Sequence, residues 1–320
     1  MQNFSHYIED SLETPLYKLG KINSNNLYVK REDMIPYSFG GNKARKAFLF
    51  FEEIDKQNAD CIVTYGSSHS NHCRVIANMA AERNIKCYII APREVSEETF
   101  NSRFVKLCGG EIIFVPVKQV HDTIEDLMTS LKSKGKKPYF IPGGGHGNIG
   151  TQAYVDCYTE IFLYEKSKKI TFDYIFFASG TGSTHSGLVC GKILNSGTEK
   201  IIGISVARKN PYGRNVVLDS IKDYLNSIDR DIYSTIIEKE VNFLDSYIGD
   251  GYGKNSKEIS DNINKIYIEY GMPLDSTYTG KAFYGMEKYI LEHKIHSSNV
   301  LFIHTGGTPL FFNDMMEEVK

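Results

Sequence analysis

Tryptophan is absent from the 320 residues, and proline and cysteine are sparse, at nine and six. The heavy use of Asn, Ile, Lys and Tyr alongside the missing Trp points to biased coding and carries no functional information. Cys61, Cys73, Cys87, Cys108, Cys157 and Cys190 are scattered and never form a Cys-x-x-Cys pair. That excludes the usual closed zinc spacings and a thioredoxin-type redox motif. Several lie in apolar runs, so reduced and mostly buried thiols are expected, as in the cytoplasm. Cys73, one turn beyond Ser70 and Asn71, reads as packing. No stretch reaches the ~20 apolar residues of a membrane span. Met1 to His6 lacks the basic region and apolar core of a secretory signal. With 37 Lys and Arg against 39 Asp and Glu, the net charge of −2 gives no electrostatic reason to expect nucleic acid or an anionic membrane as partner.

What is present is an alternation of short apolar runs and helical patterns. Strand candidates are Leu27–Arg31, Cys61–Tyr65, Cys87–Ala91, Glu111–Val115, Tyr139–Ile141, Tyr174–Ala178, Ile201–Val206 and Val300–His304. Helical periodicity fills many of the gaps, including Lys43–Asp55, Glu97–Leu107, Thr123–Lys132 and Gln152–Lys166. This order predicts an α/β protein with mainly parallel sheets covered on both faces. The length allows one large domain or two moderate ones. The basic run from Lys132 to Lys137 reads as an exposed helix end.

Three segments carry chemistry. Gly40-Gly41-Asn42-Lys43-Ala44-Arg45-Lys46 places a lysine in a glycine-opened turn at a helix start. Such a lysine can form a Schiff base with an aldehyde cofactor, while neighbouring cations and helix amides hold an anion. An exposed basic helix face is the bland alternative. Ser67-Ser68-His69-Ser70-Asn71-His72 follows an apolar strand and opens a helix. Ser179-Gly180-Thr181-Gly182-Ser183-Thr184-His185-Ser186-Gly187 does the same, and its glycines and hydroxyls suit a phosphate. The dinucleotide fingerprint is not met in the last segment, and the Gly-Lys-Ser/Thr ending of a P-loop is missing.

Taken in order, these segments resemble the pyridoxal-phosphate (PLP) enzymes of the tryptophan synthase β-like fold. Within them the chain is similar to the 1-aminocyclopropane-1-carboxylate deaminase/D-cysteine desulfhydrase family. The likeness runs through Thr14-Pro15-Leu16, Val29-Lys30-Arg31-Glu32-Asp33, Gly41-Asn42-Lys43, Ser70-Asn71-His72 and Thr181-Gly182-Ser183-Thr184. It continues in Gly251-Tyr252-Gly253, Tyr278-Thr279-Gly280-Lys281-Ala282 and Phe302-Ile303-His304-Thr305-Gly306-Gly307. The resemblance implies two open twisted sheets. A cofactor domain would comprise residues 1–59 and 151–320, with a smaller domain inserted at 60–150 and the active site between them. It also implies a homodimer acting on a small amino acid.

The same resemblance implies roles. Lys43 would be the Schiff-base lysine and proton carrier. Lys46, one turn later on the same face, would reach the phosphate held by Thr181, Gly182, Ser183 and Thr184. Asn71 would donate to the ring hydroxyl oxygen, and Thr305 would partner the ring nitrogen. Ser70 would bind substrate or relay a proton, and a helix N-cap role is compatible with that. Asn71, His72 and His146 would join it around the substrate. Tyr252 and Tyr278 would shape the pocket and act as acids or bases toward the leaving group.

Where the ring-opening deaminases have glutamate after the second tyrosine, this chain has Thr279, as desulfhydrase-like members do. That implies α,β-elimination on a D-amino acid, giving pyruvate, ammonia and sulfide from D-cysteine. Pro142-Gly143-Gly144-Gly145-His146-Gly147-Asn148 departs from the usual Gly-Gly-Ser-Asn of those members, with His146 and Gly147 in place of Ser-Asn. So 1-aminocyclopropane-1-carboxylate deamination, D-serine or cysteate lysis and β-replacement stay open. Two readings belong to other classes: a metal site at His69, His72 and the cysteines nearby, whose spacing fits no closed ligand set, and a catalytically silent PLP-fold binding protein.

Overall fold

The computed structural model describes residues 12–249 and 251–318; the stretch from Met1 to His6, which bears on the expectation about a secretory signal, lies outside them. Two sheets organise the chain. The larger runs in the order β1 (Leu16–Ile22), β2 (Asn25–Lys30), β10 (Asn299–Ile303), β7 (Tyr174–Ser179), β8 (Lys200–Ser205), β9 (Asn242–Leu244). Only its β1–β2 pair is antiparallel. The smaller runs β5 (Glu111–Val115), β4 (Lys86–Pro92), β3 (Cys61–Tyr65), β6 (Pro138–Ile141), all parallel.

Both sheets are covered on both faces, which explains the unbroken apolar runs. Along β7 the alternation of side chains sends Ile175 and Phe177 into one core cluster, and Phe176 and Ala178 into another. The first packs against α5 (Asn148–Lys168) and α6 (Ser183–Asn195), the second against α9 (Lys257–Tyr270) and α10 (Thr279–Glu292). In the smaller sheet Ile62 faces α1 (Asn42–Gln57) and α2 (Asn71–Glu82), while Cys61 and Val63 face α4 (Val120–Ser133). All six cysteines are unpaired and only Cys108 is not buried. Among the described residues no helix is long and apolar enough to cross a membrane.

The expected strands are all present, within a residue or two. Two others escaped the pattern. β1 is an edge strand with an irregular register near Gly20 and little burial, and β9 is only three residues long. The helix expected from Glu97 begins at Phe100, because Thr99 and Ser102 form a reciprocal capping box that fixes the start.

One polar group sits deep in this frame. Glu32, fully buried, accepts from Arg45 Nε at 2.6 Å and Nη2 at 2.9 Å, from Thr14 Oγ1 at 2.6 Å and from Tyr154 at 3.1 Å. Arg45 also reaches Glu160 at 2.6 Å, and Glu160 pairs with Lys30. The cluster ties β2, α1 and α5 together. Burial alone would raise the Glu32 carboxyl; the Arg45 guanidinium outweighs it and holds the pKa at about 2.

Candidate active site

In open parallel sheets ligands bind beyond the carboxyl ends of the strands. Here both sheets direct those ends at one cavity of about 620 Å³. The smaller sheet contributes residues at or just beyond the ends of all four of its strands, and the larger one those after β7, β8 and β10.

Lys43 enters from the start of α1. Gly41, at φ +93°, makes the entry, and a side chain there would begin 2.8 Å from the Thr305 carbonyl oxygen. The amide of Asn42 donates to that same oxygen at 2.9 Å, which joins the helix start to the turn after β10. Lys43 Nζ donates to the carbonyl of Gly144 at 2.9 Å. Gly144, at φ +71°, leaves room there: a Cβ would fall 2.6 Å from Thr181 Cγ2 and 3.2 Å from the lysine nitrogen. Burial lowers the Lys43 pKa to about 8. Its amine is therefore partly unprotonated near neutrality, as a nucleophile must be.

Lys46 projects from the same face, as its spacing predicts. It is 1 % exposed and donates to Ser183 Oγ at 2.8 Å. No carboxylate among the described residues pairs with it, and burial followed by the charge of Lys43 drives its pKa well down. A buried amine in such a place carries its proton only when an anion sits beside it. Ser183 Oγ in turn donates a hydrogen bond to the Gly145 carbonyl at 3.1 Å, and Thr184 Oγ1 accepts from Asn42 Nδ2 at 3.0 Å. Thr181 lies on the cavity wall; Gly182, Ser183 and Thr184 stand behind it at the start of α6, whose first amides have no side-chain cap.

Across the cavity Ser70 caps α2, accepting from Cys73 N at 3.2 Å, and also lines the wall. Asn71 Oδ1 accepts from Arg74 Nη2 at 3.4 Å and from Asn101 Nδ2 at 3.0 Å. Arg74 can only donate, so the oxygen of Asn71 points inward and its NH₂ is left to donate. His72 borders the cavity, yet its Nε2 is committed to Thr64 at 2.8 Å. Thr64 gives its proton to Ile141 O, so His72 must donate from Nε2. Burial, then the charges of Lys43 and Lys46, keep that ring neutral.

Tyr252 and Tyr278 meet hydroxyl to hydroxyl at 2.6 Å, and Ser67 Oγ lies 3.3 Å from Tyr252. Burial raises both phenols, so at neutral pH they are proton donors, not bases. Thr305 is on the wall; Thr279 is not. The Thr279 hydroxyl, fully buried, donates to Asp275 Oδ1 at 2.7 Å, because the Asp275 carboxylate gathers the amides of Thr277, Tyr278 and Thr279 at the start of α10, where Tyr278 itself supplies no cap.

The motifs gave no role to Asn42 or Ser67, which lie within them, and did not reach Arg208, Arg74 or Asn101. Arg208 lies three residues beyond β8, where the carboxyl-end rule would have found it. Arg74 and Asn101 form a fully buried pair, 2.9 Å apart, that only the fold brings behind Asn71. Among the described residues no group of three or more His, Cys, Asp or Glu side chains is placed to hold a metal ion.

Residues 10–306 match the family described as pyridoxal-phosphate dependent enzyme. The chain belongs to the pyridoxal-phosphate dependent enzymes. It is 30% identical to the D-cysteine desulfhydrase of Serratia proteamaculans over 317 residues, which covers 93% of this chain and 92% of that one. It is also 30% identical to a putative 1-aminocyclopropane-1-carboxylate deaminase of Pyrococcus abyssi, over 94% of this chain and 91% of the relative. A crystal structure of an ACC deaminase homologue superposes with a TM-score of 0.84, at 28% identity and with both chains fully covered. A hydrogen sulfide-producing enzyme of Fusobacterium nucleatum shares the fold at 17% identity and a TM-score of 0.67. The residues present fit the cofactor. A buried amine with a lowered pKa suits its aldehyde, and the uncompensated Lys46 beside uncapped helix amides suits its phosphate.

Proposed function

We propose that this protein is a lyase that removes the α-proton and the β-substituent of a small amino acid, with D-cysteine the first candidate. The observation that carries the reading is the Lys43 amine, poised at about 8, in one cavity with two protonated tyrosines. The desulfhydrase relative supports it.

Bound pyridoxal phosphate supplies the electron sink that makes the α-proton acidic. Lys43 would hold the cofactor through its aldehyde, and the same amine is the base placed to take the substrate's α-proton. Lys46 and the Thr181–Thr184 turn hold the phosphate. Asn71 would donate its NH₂ to the ring hydroxyl oxygen, since Arg74 and Asn101 hold its own oxygen turned inward. Thr305 partners the ring nitrogen. Ser70 and the first turn of α2 take the substrate carboxylate. The Tyr252–Tyr278 pair protonates the departing sulfur, for which its raised pKa values suit it. Net, one D-cysteine and one water become pyruvate, ammonia and hydrogen sulfide. With 60–150 taken as the smaller domain, Lys43 and Ser70 stand on opposite walls, and closure excludes water.

The PLP-loaded protein given D-cysteine is expected to release pyruvate and sulfide in equal amounts. Given 1-aminocyclopropane-1-carboxylate it is expected to release little ammonia. Rapid ammonia from the cyclopropane with none from D-cysteine would overturn the assignment.

A further inference from the structure

Four consecutive residues just ahead of Lys43 take left-handed backbone angles: Ser38 at φ +47°, Phe39 at +58°, Gly40 at +60° and Gly41 at +93°. The glycines accept this freely, whereas Ser38 and Phe39 adopt it against the steric preference of their Cβ atoms. Such strain persists only where surrounding contacts over-determine it. Backbone bonds hold the inner side of the turn, from Gly40 N to Tyr37 O at 2.8 Å and from Gly41 N to Glu32 O at 2.7 Å. The side chains of both strained residues meet one group, the guanidinium of Arg74 on α2. Its Nη1 donates to Ser38 Oγ at 3.0 Å, and it lies over the Phe39 ring, 5.5 Å from the centroid.

The rest of that guanidinium serves the cavity wall. Arg74 Nε donates to Asn101 Oδ1 at 2.9 Å. Asn101, at the start of α3 (Phe100–Leu107), must therefore present Nδ2 to the Asn71 oxygen, at 3.0 Å, and to the His69 carbonyl, at 3.1 Å. Arg74 Nη2 reaches the same Asn71 oxygen at the longer distance of 3.4 Å. Arg74 is 1 % exposed, and among the described residues no carboxylate pairs with it. Burial presses its pKa down to about 9, which leaves it charged at neutral pH. Filling space alone would not call for a charge there.

We propose that Arg74 is a positioning residue for two parts of the site at once: it locks the left-handed turn that presents Lys43, and through Asn71 it holds the cofactor's ring oxygen in the anionic form. The second half rests on the role given to Asn71 above; the first does not. Two donors on the Asn71 oxygen polarise that amide and make its NH₂ the stronger donor. A poorly screened positive charge one amide behind acts in the same direction. With 60–150 taken as the smaller domain, Ser38 and Arg74 lie on either side of the division, so their contact ties the place of Lys43 to that of Asn71.

The test uses full-length Arg74→Met, Arg74→Lys, Ser38→Ala and Asn71→Ala proteins. It reads the rate at which apoprotein loads pyridoxal phosphate covalently, and the cofactor absorbance, which separates the anionic ring oxygen from the neutral hydroxyl. Arg74→Met is expected to slow loading about tenfold or more and to raise the share of neutral hydroxyl. Ser38→Ala is expected to slow loading with the absorbance unchanged. In an Asn71→Ala background, Arg74→Met should add nothing to the absorbance change, which a general loosening would not reproduce. Arg74→Lys keeps the charge without the fork, so it should restore part of the absorbance and little of the rate. Wild-type rate and absorbance in Arg74→Met would overturn the proposal, as would equal absorbance shifts with and without Asn71. If denaturant unfolding shows that Arg74→Met does not fold, Asn101→Ala takes its place for the absorbance and Ser38→Ala decides the turn. Wild-type values in both would then overturn the proposal. An Asn71→Ala protein with wild-type absorbance would sink the Asn71 role, and the loading rates would still decide the turn.

Discussion

Replacing Lys43 by Ala is expected to lower pyruvate release from the protein's amino-acid substrate by at least about 10³-fold, since one change removes both the attachment point and the proton acceptor. The variant should still bind pyridoxal phosphate, because Lys46 and the start of α6 are untouched. The environment of Lys43 adds a pH signature. Burial lowers its pKa to about 8 from the ordinary 10.5. Only the unprotonated amine attacks an aldehyde, so covalent loading of apoprotein should speed up as pH rises through about 8 and level off above. An exposed lysine would not level off below about pH 10. Stopped-flow absorbance at a series of pH values measures this. A profile still rising at pH 9.5, or a Lys43→Ala protein with wild-type turnover, would show that another residue holds the cofactor.

The second large effect is on stability. Glu32→Gln keeps the size of the side chain but leaves Arg45 buried with a single carboxylate, that of Glu160. Removing one member of a buried ion pair costs about 3–5 kcal/mol. Denaturant unfolding of the variant should show a loss of that order. The linkage has a definite sign. The carboxyl titrates at about 2 in the folded protein and near 4.5 otherwise. Its contribution, about 3 kcal/mol, is therefore complete above pH 4.5 and is lost as pH falls toward 2. The wild type should lose stability over that window more steeply than Glu32→Gln. Parallel curves would mean that the cluster supports the fold by packing alone. Because Arg45 lies between Lys43 and Lys46 on α1, a loosened cluster should also weaken cofactor binding.

Most of the frame was legible because parallel strands buried on both faces leave unbroken apolar runs, as Cys61–Tyr65 and Tyr174–Ser179 do. β1 and β9 were not, since an irregular edge strand and a three-residue strand owe their pairing to neighbours distant in sequence. Lys43, Ser70, Tyr252 and Tyr278 were legible through their flanking motifs, and one cavity gathers them all. The supporting layer was not. Nothing local in Arg74, Asn101 or Glu32 announces that the fold will bury them against Asn71 or Arg45. Thr279 shows the opposite failing. Its neighbour Tyr278 reaches the cavity, but its own hydroxyl is consumed by Asp275. A choice of reaction based on that residue type alone therefore lacks the contact it assumed.

The account stands on Lys43 as the residue that holds the cofactor. Borohydride reduction of the PLP-loaded protein, followed by proteolysis and mass spectrometry, reads that attachment directly. The predicted result is one reduced pyridoxyl-phosphate adduct, on the peptide containing Lys43. An adduct on Lys46 or any other lysine, or unmodified protein from a preparation shown to contain the cofactor, would contradict it.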